Sequence, residues 1–457
     1  MAPRGRYLIK TYGCQMNFHD SERIAGLLEE AGYHPASDVS EADLVVFNTC
    51  CVRENADNRL YGNVAALKPL KAKNPAMRIA VGGCLAQKDG AGLLERSPYL
   101  DVVFGTHNLA RLLDLLEKRE SRGAAVCEVF DTPAEDDTLL EAYRLPARRE
   151  SSYSAWVAIS VGCDNTCTFC IVPKVRGPER SRHPDDVVAE VKQLAAEGVV
   201  EVTLLGQNVN SYGRDLGLDG RKPLFARLLR EIDAVDGIRR VRFTSPHPKD
   251  LRPETIDAMA DCPSVMPQLH LPLQSGSDRI LKAMHRGYTS ERYLEKLRAA
   301  RAAIDDLAVT TDIIVGFPGE TDADFEQTLQ VVEEARFDGA YMFIYSPRPG
   351  TPAAELPYDI TAETLKARFE ALVDTVERLG LESNLRRIGR TEEVLVEGPA
   401  RRGNGQMCGR TPQNKIVNFA VDDRARVSRV RPGTFVQVRI VDAGPHHLEG
   451  EVLGVEQ

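Results

Sequence analysis

The chain has 457 residues, a formal net charge of −9, 43 % hydrophobic residues and 27 % charged ones. That length exceeds one hydrophobic core and predicts about two to four domains, while the acidic balance excludes whole-molecule attraction to nucleic acid but leaves local basic patches open. No apolar run approaches the ~18 residues that span a bilayer and "MAPRGRYLIKTYGC" carries no apolar leader segment, so a cytoplasmic protein without membrane contact is expected.

The first 120 residues alternate between strand and helix patterns. "RYLIKTYGC" precedes "DSERIAGLLEEAG", "DLVVFNTC" precedes a helix through "NVAALKPLKAK", "RIAVGGC" precedes "GAGLLER", and "DVVFGT" precedes a leucine-rich helix. Such alternation predicts an α/β fold with a parallel, doubly covered sheet. Residues 1–130 are assigned to this domain. The acidic, then Pro/Arg/Ser-rich stretch 131–152 is read as a linker.

A second α/β series occupies residues 153–385. Its strands are "AWVAISVGC", "EVTLLGQN", "VRFTSP", "QLHLPLQS", "TTDIIVGF" and "AYMFIYSP". Six strand–helix units predict a partial or complete barrel, with the site at the carboxyl ends of the strands. Residues 386–457 break into five short β-rich runs, which predicts a small all-β barrel. This tail holds 12 Lys/Arg against 9 Asp/Glu, in contrast to the acidic whole.

Ten cysteines are many for a cytoplasmic chain, where disulfides do not persist, so metal or redox chemistry is the better expectation. "SVGCDNTCTFC" places Cys163, Cys167 and Cys170 on one short loop after a strand. Soft thiolates at this spacing suit three corners of an iron–sulfur cubane and leave the fourth iron open. Zinc is the alternative, with His183 or Asp164 as the nearest fourth ligand. Cys14, Cys50 and Cys84 each close an apolar strand, one strand–helix unit apart, so three thiols fall on one edge of a parallel sheet. Cys50, directly after "NT", is preferred to Cys51. Cys127, Cys262 and Cys408 read as small buried hydrophobes.

These residues carry a resemblance. "GCDNTCTFC" is similar to the radical S-adenosylmethionine signature Cys-x3-Cys-x-aromatic-Cys, with Phe169 as the aromatic. With Cys14, Cys50 and Cys84 upstream and the β-rich tail, the chain resembles the methylthiotransferases of that superfamily along nearly its whole length. "YGCQMNFHDSERI", "NTCCVRENA", "LLGQNVNSYG", "LHLPLQSGSDRILKAMHRGYT" and "DIIVGFPGET" favour the branch that adds a methylthio group to C2 of isopentenyl-modified adenosine in tRNA. Branches acting on a ribosomal-protein aspartate or on threonylcarbamoyl-adenosine are the alternatives, and a non-enzymatic metal- and RNA-binding protein is the alternative of another class.

The resemblance implies two 4Fe–4S clusters, one held by Cys163, Cys167 and Cys170 and an auxiliary one held by Cys14, Cys50 and Cys84. It implies a partial (β/α)6 barrel and S-adenosylmethionine as methyl donor and radical source, with Phe169, Gly206, Gln207, Ser245, Gln274, Asp312 and Gly316 around it. It also implies a C-terminal RNA-binding domain of the TRAM type, a tRNA anticodon stem-loop as substrate, an electron donor such as flavodoxin or ferredoxin, and a sulfur source. Arg176, Arg180 and Arg182 in "PKVRGPERSR", and Arg401, Arg402 and Arg410 in the tail, are the expected RNA contacts. No acid–base pair or Ser/His/Asp arrangement is found, and His183, His247 and His270 are read as structural.

Overall fold

The computed structural model describes residues 4–50, 54–130, 140, 142–220, 222–401, 405–421 and 429–456. Cys51, Arg402 and residues 131–139 and 141 of the predicted linker lie outside these. Among the described residues, no helix is long and apolar enough to cross a membrane.

The N-terminal sheet has six parallel strands: β1 (Gly5–Tyr12), β2 (Tyr33–Pro35), β3 (Leu44–Thr49), β4 (Arg78–Gly83), β5 (Val102–Phe104) and β6 (Val126–Glu128). Their order is β2-β1-β3-β4-β5-β6. β3, with the sequence LVVFNT, is buried on both faces, as a central strand of a doubly covered parallel sheet must be. The four strands expected from sequence are β1, β3, β4 and β5. The short edge strands β2 and β6 were not expected, because their sequences, YHP and VCE, lack the apolar run that marks β5 (VVF).

The central unit begins with β7 (Ser154–Ala158), a two-residue β8 (Ser160–Val161) and its partner β9 (Arg180–Ser181). It continues with β10 (Glu201–Leu205), β11 (Arg240–Phe243), β12 (Gln268–His270), β13 (Ala308–Val315) and β14 (Gly339–Ile344). All six predicted strands are present, as two parallel triplets, β11-β10-β7 and β12-β13-β14. An isolated parallel bridge, Val241 to Val265, links β11 to the segment just before β12. β7 and β14 do not pair, so the barrel is open between them. β13 alternates: Val309, Ile313 and Val315 enter the core beneath the helices, while Thr310, Asp312 and Ile314 face the lumen. The outer helices are amphipathic. Phe225, Leu228, Leu229 and Ile232 of the helix Phe225–Asp233 form one buried stripe.

The tail is a closed five-stranded barrel, β15 (Thr391–Pro399), β16 (Met407–Arg410), β17 (Ile416–Ala420), β18 (Phe435–Ala443) and β19 (Leu448–Val455), ordered β15-β16-β17-β19-β18. It docks on the amino ends of the central strands. The Arg240 guanidinium donates to the Arg410 carbonyl at 2.8 Å and to Glu393 at 2.8 Å. Arg242 donates to the carbonyls of Thr411 and Pro412 at 2.9 and 2.8 Å and pairs with Glu201 at 2.9 Å. Both arginines are buried. Removing one partner of a buried ion pair leaves the other charge uncompensated. Arg242→Ala is therefore expected to cost about 3–5 kcal/mol, read by urea unfolding, with the tail losing its protection from hydrogen exchange first.

Candidate functional site

Because β1, β3 and β4 are neighbours, their carboxyl ends bring Cys14, Cys50 and Cys84 to one edge. Cys14 caps the helix Gln15–Glu30, Cys50 follows β3 directly, and Cys84 opens the helix Cys84–Asp89. Gly13, at φ +142, stands so close that a Cβ there would lie 2.5 Å from the Cβ of Cys50. The Cys14 thiol is hydrogen-bonded to Cys50, which draws its pKa down to about 6, with the positive charge of Arg176 adding to the effect.

The strand ends are stitched by short polar side chains. Asn17 Nδ2 donates to Asn48 Oδ1 and to the Thr49 carbonyl at 3.4 and 3.3 Å. Asn48 returns a bond to the Asn17 carbonyl at 2.7 Å, and Thr49 Oγ1 reaches the Gly82 carbonyl at 2.8 Å. Gly83, at φ +90, permits the crossing: a Cβ would meet Asn48 Oδ1 and the Thr49 carbonyl at 2.5 Å. Asn17 and the "NT" before Cys50 therefore hold three thiols together.

The second set lies on the loop after β8. Gly162, at φ +78, precedes it, where a Cβ would sit 2.0 Å from the Pro178 carbonyl. Cys163 N–H donates to the Gly177 carbonyl at 3.1 Å, and Cys170 N–H to the Cys167 carbonyl at 3.1 Å. Thr168 ties the loop to Met284, Ala283 and Ala353. Phe169 packs against the apolar group of Ile280, Met284, Phe317, Tyr345 and Ala353. Burial pushes the Cys163 thiol up to about 11 and Cys170 to about 12. A bound metal takes up the thiolate forms, so loading this loop releases protons.

Sequence reasoning missed Arg286. This buried arginine donates to Cys167 Sγ at 3.3 Å, to the Pro272 carbonyl at 3.1 Å and to Tyr288 Oη at 3.1 Å. Its place in "HRGYT", 119 residues from Cys167, gave no local signal.

Two all-thiol sets suit iron–sulfur clusters, which soft thiolates select. Among the described residues, no three His, Cys, Asp or Glu side chains converge on a single-ion position. The two nearest fourth ligands for the zinc alternative are engaged elsewhere. His183 is exposed and caps the helix Pro184–Ala196, and Asp164 accepts from the Glu179 N–H at 3.0 Å.

Besides Phe169, the six residues expected around S-adenosylmethionine lie along the lumen and its carboxyl rim. Gln207 Oε1 accepts from the Gly162 N–H, tying β10 to the cysteine loop. Gly206 leaves room for Ser160 Oγ, 2.6 Å from where its Cβ would be. Ser245 and Gln274 adopt positive φ, +60 and +73, a sparsely populated conformation for residues with a Cβ that clusters at functional sites. Gln274 also bridges to β13 through the Asp312 carbonyl, at 2.8 Å. Gly316, at φ +75, faces Leu365 and donates to Glu320 at 2.8 Å. Asp312 does not stand alone in the lumen: its Oδ1 is 3.4 Å from His270 Nε2.

Two expected RNA contacts are corrected. Arg176 is 4 % exposed and bonded to Asp20 at 2.8 Å. Arg182 is 7 % exposed and pairs with Glu190 at 2.6 Å. Both face the contact between the N-terminal sheet and the barrel, where Arg23 also pairs with Glu190, so neither can meet a phosphate. Arg180 and Arg401 are exposed. Arg410 is half-buried and paired with Glu397 at 2.8 Å.

A parallel six-stranded sheet, an open radical-type barrel with a three-thiol loop and a small closed β-barrel define a radical S-adenosylmethionine protein with two accessory domains. The family profiles agree: "Radical SAM superfamily" matches residues 157–332, "Uncharacterized protein family UPF0004" residues 6–105, and "TRAM domain" residues 385–453. Among solved structures, the radical S-adenosylmethionine methyltransferase TsrM from Kitasatospora setae shares the fold, with a TM-score of 0.55 and 16 % identity over 76 % of this chain and 75 % of that one. Curated relatives are far more similar. The tRNA-2-methylthio-N(6)-dimethylallyladenosine synthase of Acidothermus cellulolyticus is 55 % identical over 99 % of this chain and 89 % of its own. That of Streptomyces coelicolor is 54 % identical over 99 % and 88 %. The chain belongs to the tRNA-2-methylthio-N(6)-dimethylallyladenosine synthase family.

Gly83→Ala combines a positive φ with a clash at the strand crossing. Iron after anaerobic reconstitution is expected to fall from about eight to about four per chain, since two four-iron clusters become one, with reductive cleavage of S-adenosylmethionine retained.

Proposed function

We propose that this protein adds a methylthio group to C2 of isopentenyl-modified adenosine beside the tRNA anticodon, using S-adenosylmethionine as both methyl donor and radical source. The observation that carries the reading is the doubled three-thiol arrangement, which supplies two open-iron sites in one chain. When bound, the clusters and S-adenosylmethionine supply one-electron and methyl-transfer chemistry that no side chain offers.

The chain's own residues then have separable tasks. Cys163, Cys167 and Cys170 hold one cluster, and Arg286 donates to the sulfur of Cys167. Cys14, Cys50 and Cys84 hold the other. Gly206, Gln207, Ser245, Gln274, Asp312 and Gly316 line the cofactor, with Phe169 packed behind the loop. The lumen keeps the reacting groups close and away from bulk water, which suits a reactive carbon radical. Arg180, Arg401, Arg402 and Arg410 meet the anticodon stem-loop. The working units are 1–130, 153–385 and 386–457, joined by 131–152. The reaction draws on an electron donor such as flavodoxin or ferredoxin and on a sulfur source, in the cytoplasm where tRNA is found.

Mass spectrometry of tRNA nucleosides from a deletion strain is expected to show loss of the methylthio-isopentenyl nucleoside and accumulation of isopentenyladenosine. An unchanged methylthio nucleoside overturns the reading. Within the enzyme, Cys163→Ala is expected to abolish cleavage of S-adenosylmethionine. Cys50→Ala is expected to retain cleavage and abolish sulfur insertion; if Cys51→Ala does this instead, Cys50 is not the ligand.

A further inference from the structure

We propose that Arg176 is a positioning residue for the auxiliary cluster, a buried cation that the barrel domain inserts beside Cys14 and Cys84 to set that cluster's charge balance and reduction potential. The inference rests on the two-cluster reading above.

Arg176 belongs to the chain of the radical-type loop, six positions after Cys170, at the end of the short helix Val172–Arg176. This helix packs on the one that begins at Cys84. Ile171 and Val175 of the same segment are buried in the N-terminal core with Cys84, Leu85 and Ala86. Thr106 Oγ1 donates to the Val175 carbonyl at 2.6 Å, fixing the helix end. The guanidinium is thus delivered across the domain contact by well-packed backbone.

Its surroundings concentrate positive charge on this one group. Among the described residues, Arg176 makes one side-chain hydrogen bond, to Asp20, although a guanidinium carries five donors. Cys14, Cys84, Asp20 and Tyr143 lie within its electrostatic reach. So do His19 and His107. Both nitrogens of His19 and Nδ1 of His107 are buried without a partner, and burial keeps both rings neutral. Arg23 and Arg182, also close to His19, are both paired with Glu190. Arg176, paired with Asp20, is thus the cation whose charge acts on Cys14 and Cys84. A cation beside a cluster favours its reduced, more negative state, and net charge and hydrogen bonds to sulfur are what tune such potentials.

The test uses the full chain carrying Cys163→Ala, Cys167→Ala and Cys170→Ala, so that only the auxiliary cluster loads. Its midpoint potential is followed by electron paramagnetic resonance during a redox titration, for Arg176, Arg176→Lys and Arg176→Met. The Met variant is expected to shift the midpoint to more negative values, and the Lys variant to recover most of the shift. If the Met variant binds no cluster, iron content replaces the potential as the readout, again with recovery in Lys. The inference is overturned if Met keeps both potential and iron content, or if Lys behaves as Met does, which marks a role in shape rather than charge. Failure of the two-cluster reading shows separately, as absence of iron from the chain with native Arg176.

Discussion

The arrangement depends on one buried pair, Arg176 on Asp20, which crosses from the barrel to the N-terminal sheet. Taking an ionised guanidinium out of water costs several kcal/mol unless a carboxylate meets it with good geometry. The 2.8 Å contact supplies that partner, with side chains only 5 % and 9 % exposed. Neither charge tolerates separation of the two units. The pair therefore fixes where the loop bearing Cys163, Cys167 and Cys170 stands relative to the strand ends bearing Cys14, Cys50 and Cys84. Arg23, Glu190 and Arg182 extend the same contact, and Tyr143, buried against Met16 and His19, closes it from the segment between the units.

Parallel sheets build sites at their carboxyl edges, and this chain uses the rule twice. In the N-terminal sheet, three adjacent strands end in cysteine. In the barrel, the loop after β8 and the residues after β10, β11, β12 and β13 form the rim. Joining the two edges through Arg176 makes one composite mouth from two sheets. The strained backbone at Ser245 and Gln274, and the glycines at 13, 83 and 162, are where chain segments pass too closely for ordinary geometry.

Much of this was legible in the sequence because it is local. A strand-ending cysteine every 34 or 36 residues reports the repeat of a strand–helix unit. The six barrel strands and five tail strands each announced themselves by apolar runs between turn residues. Long-range pairing was not legible. "PKVRGPERSR" reads as one basic run, yet the fold divides it: Arg180 faces solvent while Arg176 and Arg182 are consumed by Asp20 and Glu190, from 156 and 8 residues away. Arg286 was missed for the same reason. A buried cation is chosen by its partner, and the partner is set by topology rather than by neighbours in the chain.

The small β-barrel sits at the opposite end from the mouth. Arg240 starts β11, Arg387 of the tail pairs with Asp306 just before β13, and Lys415 pairs with Asp338 just before β14, at 2.9 and 2.8 Å. These are amino ends, whereas the cysteine loop, Gly206, Gln207, Ser245, Gln274 and Gly316 lie at carboxyl ends. The eight residues of β13 at about 3.3 Å each separate the two by about 26 Å. These polar contacts of the tail with the barrel are thus made at the end opposite the cysteine loop.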